Sequence, residues 1–435
     1  MTNLDQAKVQ ARYSDITDSQ LLRPKFRDQS SLQVAVLFHR VGPYHFARLR
    51  HSGQRMNVTA VELSGVDETY AWDDVSGADG FDRVTVFENA DSRTQPAGKV
   101  RERMRATLDG LQPDVVVVPG WSDSGALAAL KWCISRQVPA VIMSETTAWD
   151  FTRRAVREWV KRGILRLCSS ALVGGQAHSE YLVQLGMPAE RVFLGYDAID
   201  NEYFIHEAEA IRSDAVSIRR RHDLPEHYFL ASARFIEQKN LHRLFGAYAR
   251  YRQLCREAFK KPWDLVLLGD GELQGALSAL RTALGLNEFI HMPGFKQYPE
   301  LPVFYGLAGA FVHVSVTEPW GLVVNEAMAS GLPVLVSDRC GCARDLVRNG
   351  RNGFTFNPYD EEYLAGRLLL VSELETEQRA AMGIAGQEII GQWGPERFAD
   401  GLVEAVDAAM TAFSPAVPAQ QRWLLNLLCQ YRFAG

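Results

Sequence analysis

The sequence predicts an α/β protein built from two doubly wound, Rossmann-like domains with parallel sheets, facing each other across a cleft. Three observations carry that expectation. The chain has 435 residues, too many for one ordinary core and suited to about two domains at roughly 100 to 200 residues each. Short, continuous apolar runs alternate with helix-length segments, the pattern of strands buried on both faces of a parallel sheet. The alternation is interrupted by the polar stretch "HEAEAIRSDAVSIRRRHDLPEH" and then begins again.

Residues 1–30 are charged and lack an apolar period, so they read as an N-terminal arm without assigned chemistry. The first domain, 31–205, opens with "LQVAVLF" at 32, followed by a Gly-Pro turn and "YHFARLRHSG", which continues as a helix. Further strand-like runs are "NVTAVEL" at 57, "RVTVF" at 83, "PDVVVVPG" at 113, "PAVIMSE" at 139, "SALVGG" at 170 and "RVFLGYD" at 191. The polar stretch that follows reads as a surface connection. The second domain, 206–395, contains "YFLASAR" at 228, "WDLVLLGDGE" at 263, "FIHMPGF" at 289, "AFVHVS" at 310, "LPVLVS" at 332 and "GFTF" at 353. Residues 396–435 are expected to form a helical segment packing back on the first domain.

Composition excludes several function classes. An apolar fraction of 47%, a charged fraction of 23% and a net charge of -5 are ordinary for a soluble chain and give no global case for binding nucleic acid. No apolar run approaches the roughly 20 residues that span a bilayer, and the polar N-terminus lacks a signal-peptide core, so a cytoplasmic protein is expected. The six cysteines are scattered through apolar segments without a zinc spacing, which reads as buried thiols; Cys340-Gly341-Cys342 also admits a metal or redox pair. No metal is assigned.

In open α/β sheets ligands bind beyond the C-terminal ends of strands, so the loops there carry the chemistry. After "YFLASA" come Arg234 and Lys239, a fork and a point charge suited to one diphosphate, or else two solvated surface cations. After "FIHMPG", Gly294 and Phe295 offer backbone groups to a flat base, unless Phe295 is core. The stretch "SVTEPWGLVVNEAMASGLPVLVS" at 315 holds two acids, Glu318 and Glu326, around a Trp-Gly pair. Gly321 permits a tight turn into a helix over 322–330, and the exposed amides of Gly321, Leu322 and Val323 form an anion-binding end. The carboxylates are pure acceptors suited to sugar hydroxyls. A role as helix-start charges also accounts for Glu326, but not for Glu318 or Trp320.

The stretch "EPWGLVVNEAMASGLPVLVSD", with "CGCARDLVRNGRNGFTFNP" after it, resembles the nucleotide-sugar signature of glycosyltransferase family 4, retaining enzymes of the GT-B fold. "ARFIEQKNL", "LVLLGDGEL", "MPGF" and "GYDAIDNEYF" are similar to its other motifs. The resemblance is strong over about 190–400 and extends to the first domain in outline. It implies a hexosyltransferase-like, metal-independent enzyme of cell-surface polysaccharide or glycolipid synthesis, with the donor on the second domain and a glycan or lipid-linked acceptor on the first. The nucleotide diphosphate-sugar is a substrate, so no cofactor is expected. By resemblance, Arg234 and Lys239 bind the diphosphate, Glu326 the ribose hydroxyls and Glu318 those of the transferred sugar.

The first domain departs from the family pattern. Where many members carry a His near the reacting sugar, this chain reads "MSETTAWDFTRR", with Glu145, Thr146 and Asp150 in that loop. His39 and His45 flank the loop "HRVGPYHF", in which Gly42 suits close approach to the donor; His39 is a candidate site residue or a packed strand-end His. Trp121 is a candidate acceptor-stacking residue, and Ser122 or Asp123 a helix cap. Residues 151–168 form a basic amphipathic helix, with Phe151, Val156, Trp159, Val160, Ile164 and Leu167 on its apolar side. That side packs on the sheet or, with its Arg and Lys face, meets an anionic membrane surface. Competing readings are a non-catalytic nucleotide-sugar-binding protein, a nucleotide-sugar epimerase and a phosphorylase; the intact Arg234, Lys239, Glu318 and Glu326 set argues against the first.

Overall fold

A computed structural model describes residues 32–67, 73, 75, 80–150 and 152–430. The arm expected over 1–30, and Phe151, lie outside them. Two parallel sheets organise the chain. The first holds β1 (Gln33–Phe38), β2 (Asn57–Ser64), β3 (Asp82–Phe87), β4 (Val115–Pro119), β5 (Ala140–Ser144), β6 (Ser170–Val173) and β7 (Val192–Leu194), in the order β3-β2-β1-β4-β5-β6-β7. The second holds β8 (Tyr228–Ser232), β9 (Asp264–Leu268), β10 (Ile290–Gly294), β11 (Ala310–His313), β12 (Val334–Ser337) and β13 (Gly353–Phe356), in the order β10-β9-β8-β11-β12-β13. Each strand lies on one of the apolar runs named above.

Both faces of each sheet are buried because successive side chains of a strand point to opposite sides. In β1, Ala35 and Leu37 join the core formed with Met104, Leu130 and Tyr181, while Val34, Val36 and Phe38 join the core on the other face with Leu49 and Phe398. In β8, Tyr228 and Leu230 face one core and Phe229 and Ala231 the other. The helix Pro395–Ala412 covers one face of the first sheet through Phe398, Leu402 and Val406, and Ser170 Oγ donates to the Ala405 carbonyl at 2.6 Å. Leu424, Leu425 and Leu428 of the helix Ala419–Gln430 enter the core on the opposite face.

Two expectations change. Ala198 belongs to a core of the first sheet and Ile199 to a core of the second, so the chain crosses there rather than near 205. The polar stretch at 206 is no loop: it is carried by the helices Asn201–Ser213 and Ala215–Arg221. Ile205, Ala208, Ile211, Ala215 and Ile218 recur at helical spacing among the charges, with Ala208 fully buried and Ile211 and Ile218 packed against the second core.

Candidate active site

The strand order of the second sheet reverses between β8 and β11, and such a switch point opens a crevice beyond the strand ends. The loops leaving these two strands are joined by a bond from the Val316 amide to the Gln238 carbonyl at 2.9 Å. That bond sets Lys239, at the end of the 3-10 turn Glu237–Lys239, against Glu318, and the two form an ion pair. His313 Nε2 lies 2.8 Å from the same Glu318 oxygen, and Ser315 Oγ donates to it at 3.2 Å. Burial by itself would raise the Glu318 pKa, but the Lys239 charge and the His313 hydrogen bond outweigh it and hold the carboxyl well below the usual range. Glu318 is therefore a buried acceptor whose ionised form its neighbours favour.

Gly321 turns the chain from Glu318 into the helix Leu322–Ala329. Its φ of +103° is left-handed, a conformation that favours glycine, while a Cβ there would meet Glu318 Cγ at an ordinary 3.4 Å. No side chain caps this helix. Leu322 and Val323 stand half-buried in its first turn, the arrangement in which backbone amides receive an anion. Further along it, Glu326 is 1% exposed and accepts hydrogen bonds from the Tyr44 phenol and, at 2.6 Å, from the Tyr305 phenol. Burial pushes its pKa up to about 7, the two phenols pulling it only part of the way back.

The remaining second-domain candidates sit around this centre. Arg234 is exposed in the loop after β8. Gly294, at φ +82°, has open space where a Cβ would stand, and Phe295 is 40% exposed, so Phe295 is not a core residue. Cys340 and Cys342 are buried free thiols.

The first-domain candidates divide. Gly42 caps the helix Pro43–Gly53 at φ -100°, a conformation any residue adopts, and its amide donates to His45 Nδ1 at 3.2 Å. Burial, aided by the charge of Arg48, pulls the His45 pKa down to about 3. His39 lies 3.5 Å from Asp91 and 3.9 Å from Asp123, acids of the first domain's own loops. With Asp67 and Asp91 it forms a group spaced for a metal, but Arg93 already bonds Asp67 at 2.5 Å and Asp91 at 2.7 Å, supplying the positive charge there. Asp123, not Ser122, caps the next helix. Trp121 packs half-buried on the first core under the Lys161 ammonium, 5.4 Å from its ring. Glu145, just after β5, is half-buried; burial raises the proton affinity of its carboxyl and the charge of Arg48 opposes the rise.

The domains meet directly around the two acids. Besides Tyr44 on Glu326, His178 Nε2 lies 2.8 Å from the Pro319 carbonyl, Asn325 Nδ2 donates to the Asp197 carbonyl at 3.2 Å, and Trp149 Nε1 donates to the Arg339 carbonyl at 3.1 Å. Sequence reasoning missed Tyr44, Tyr305, His313 and Ser315. A signal existed for the last two: they alternate on one face of the strand end that leads into Glu318.

The amphipathic segment forms the helix Ala155–Leu165. Ile164 is buried and Val160 and Leu167 pack on the first core, but Val156 and Trp159 are 74% and 44% exposed. The apolar side is thus only partly spent on the sheet. Among the described residues no helix is long and apolar enough to cross a membrane.

Residues 215–389 match the family described as glycosyl transferases group 1. The chain is 29% identical over 300 residues to sulfoquinovosyl transferase SQD2 of Arabidopsis thaliana, covering 66% of this chain and 55% of that protein. It is 30% identical over 273 residues to a GDP-mannose-dependent alpha-mannosyltransferase of Mycobacterium tuberculosis, covering 60% and 64%. The match thus spans between half and two thirds of these relatives' own length. In fold it is similar to sucrose-phosphate synthase from Thermosynechococcus elongatus, with a TM-score of 0.68 at 17% identity over 88% of this chain and 100% of that one. Anabaena Alr3699/HepE in complex with UDP and glucose gives 0.65 at 18% over 87% and 100%.

Proposed function

We propose that this chain, a group 1 glycosyltransferase by its residues 215–389, moves a sugar from a nucleotide diphosphate-sugar to a glycan or lipid-linked acceptor with retention of configuration. One observation carries the reading: two buried carboxyls, Glu318 and Glu326, flank an uncapped helix start beside Lys239 at the switch point of the second sheet. In this reading Arg234, Lys239 and the Gly321–Val323 amides take the diphosphate and stabilise the charge growing on it as the sugar departs. Glu318 accepts from hydroxyls of the transferred sugar and Glu326 from those of the ribose, replacing the Tyr44 phenol. The loop at Gly294 and Phe295 receives the base. No metal or cofactor takes part.

The acceptor side carries the partner. Val156 and Trp159 stand exposed among Arg154, Arg157, Arg162 and Arg166, which are also exposed, a combination suited to the headgroup layer of an anionic bilayer. Peripheral attachment there would bring a lipid-linked acceptor to the cleft. Co-sedimentation with anionic vesicles tests it, and unchanged binding by Trp159→Glu would remove it.

The donor assignment is tested by a thermal-shift and hydrolysis screen against UDP-, GDP-, ADP- and dTDP-sugars without added metal. A donor at about 100 times its Kd stabilises by roughly 2.7 kcal/mol. Stabilisation by one nucleotide class with slow release of its diphosphate is the expected result; no shift from any of them would overturn the reading.

A further inference from the structure

Three donors of the second domain converge on one oxygen of Glu318. The Lys239 ammonium, His313 Nε2 at 2.8 Å and Ser315 Oγ at 3.2 Å all reach Oε2, and Ser315 Oγ also lies 3.2 Å from His313 Nε2. Among the described residues none donates to Oε1. An ionised carboxylate has only acceptors to offer, so His313 Nε2 carries a hydrogen and donates it. One oxygen is thus held by the protein, and the other is left to a ligand hydroxyl.

These donors are not equally fixed. His313 is the last residue of β11, a strand paired on one side with β8 and on the other with β12, where it lies in register with Val336. It is 3% exposed, and its ring lies within 14° of parallel to that of Phe311, two residues earlier on the same face of the strand. Lys239 instead ends a 3-10 turn in the loop after β8 and reaches Glu318 on a flexible stem. The diphosphate of a donor needs that ammonium. If Lys239 were the sole partner of Glu318, its departure would strand a buried carboxylate, a costly state that would keep the ammonium where it is. A fixed second donor on the same oxygen removes that obstacle.

We propose that His313 is a positioning residue for donor capture. It holds Glu318 Oε2 from the rigid strand, so that Lys239 turns from the carboxylate to the diphosphate while Oε1 stays aimed at a hydroxyl of the transferred sugar. Ser315 shares the task through the same oxygen. His313 touches no substrate and acts through Glu318, so the proposal rests on the glycosyltransferase reading.

Calorimetry with a nucleoside diphosphate alone, of the class found in the screen, tests the role without turnover. His313→Phe keeps a ring beside Phe311 but removes the donor, and is expected to weaken binding about 10- to 100-fold, the loss of one hydrogen bond to a charged group. His313→Gln, whose amide still donates, is expected to stay within a few-fold of wild type. Glu318→Gln releases Lys239 from its ion pair, so in that background His313→Phe should change binding by less than about 2-fold. Normal binding by the double variant also shows that the fold survives the Phe ring. A loss that persists in the Glu318→Gln background would make His313 a structural residue only and overturn the proposal. Equal losses in the Phe and Gln variants, or none in His313→Phe, would overturn it as well while the wild type still binds. A wild type that binds no nucleoside diphosphate would overturn the glycosyltransferase reading itself, and this proposal with it.

Discussion

Glu326→Gln should make the protein more stable and less functional, and its pH dependence reports why. Glu326 is 1% exposed, and burial raises its pKa from 4.5 to about 7. The folded protein thus binds this proton more tightly than the unfolded chain does. The resulting stabilisation is fully present below about pH 4.5 and is lost as the pH rises toward 7. That rise corresponds to roughly 3 kcal/mol, at about 1.36 kcal/mol per pKa unit. Gln removes the titration and keeps a carbonyl acceptor and an amide for the two phenols. Urea unfolding followed by tryptophan fluorescence should find the variant and wild type within about 1 kcal/mol near pH 5, and the variant ahead by up to roughly 3 kcal/mol near pH 8. The same variant should lose the thermal shift that a nucleoside diphosphate gives the wild type. A stability difference that does not grow between these pH values would refute the reasoning, because Glu326 would then not be a carboxyl held against its solvation for a ligand.

Further outcomes follow from the same geometry. Glu318→Ala and Lys239→Ala should each abolish most sugar transfer, and each should lower the melting temperature because it strands a buried charge, a cost of up to about 3–5 kcal/mol. The double variant should recover stability and no activity; additive losses in stability would show that the pair is not coupled. Tyr44→Phe removes a phenol that occupies Glu326 from the opposite domain, so nucleoside diphosphate should bind several-fold to about 10-fold tighter by calorimetry; weaker binding would make Tyr44 part of the donor site. Trp320→Ala should destabilise by about 3–5 kcal/mol in chemical denaturation, since the ring is 1% exposed and packs 5.1 Å from Trp393 and 5.8 Å from His178 across the cleft.

The sequence by itself determined the strands, the doubling of the fold and the acids after β11. These signals are local: a strand buried on both faces must be apolar along its whole length, and a Gly between two acids marks a turn wherever it occurs. The helices Asn201–Ser213 and Ala215–Arg221 were harder to see because exposed charges outnumber the narrow apolar stripe that faces the core. What tertiary structure alone decided is which loops meet. Lys239 reaches Glu318 because β8 and β11 are neighbours in the sheet, a strand order that no local pattern encodes. Tyr44 bonds Glu326 across 282 residues, and Asn325 bonds the Asp197 carbonyl across 128, only because the two domains meet there. Proton affinities follow from that convergence: the same residue type is a strong acid at Glu318, beside an ammonium, and a weak one at Glu326, beside two phenols. Charge state depends on burial and on neighbours brought from far along the chain, so only the folded molecule sets it.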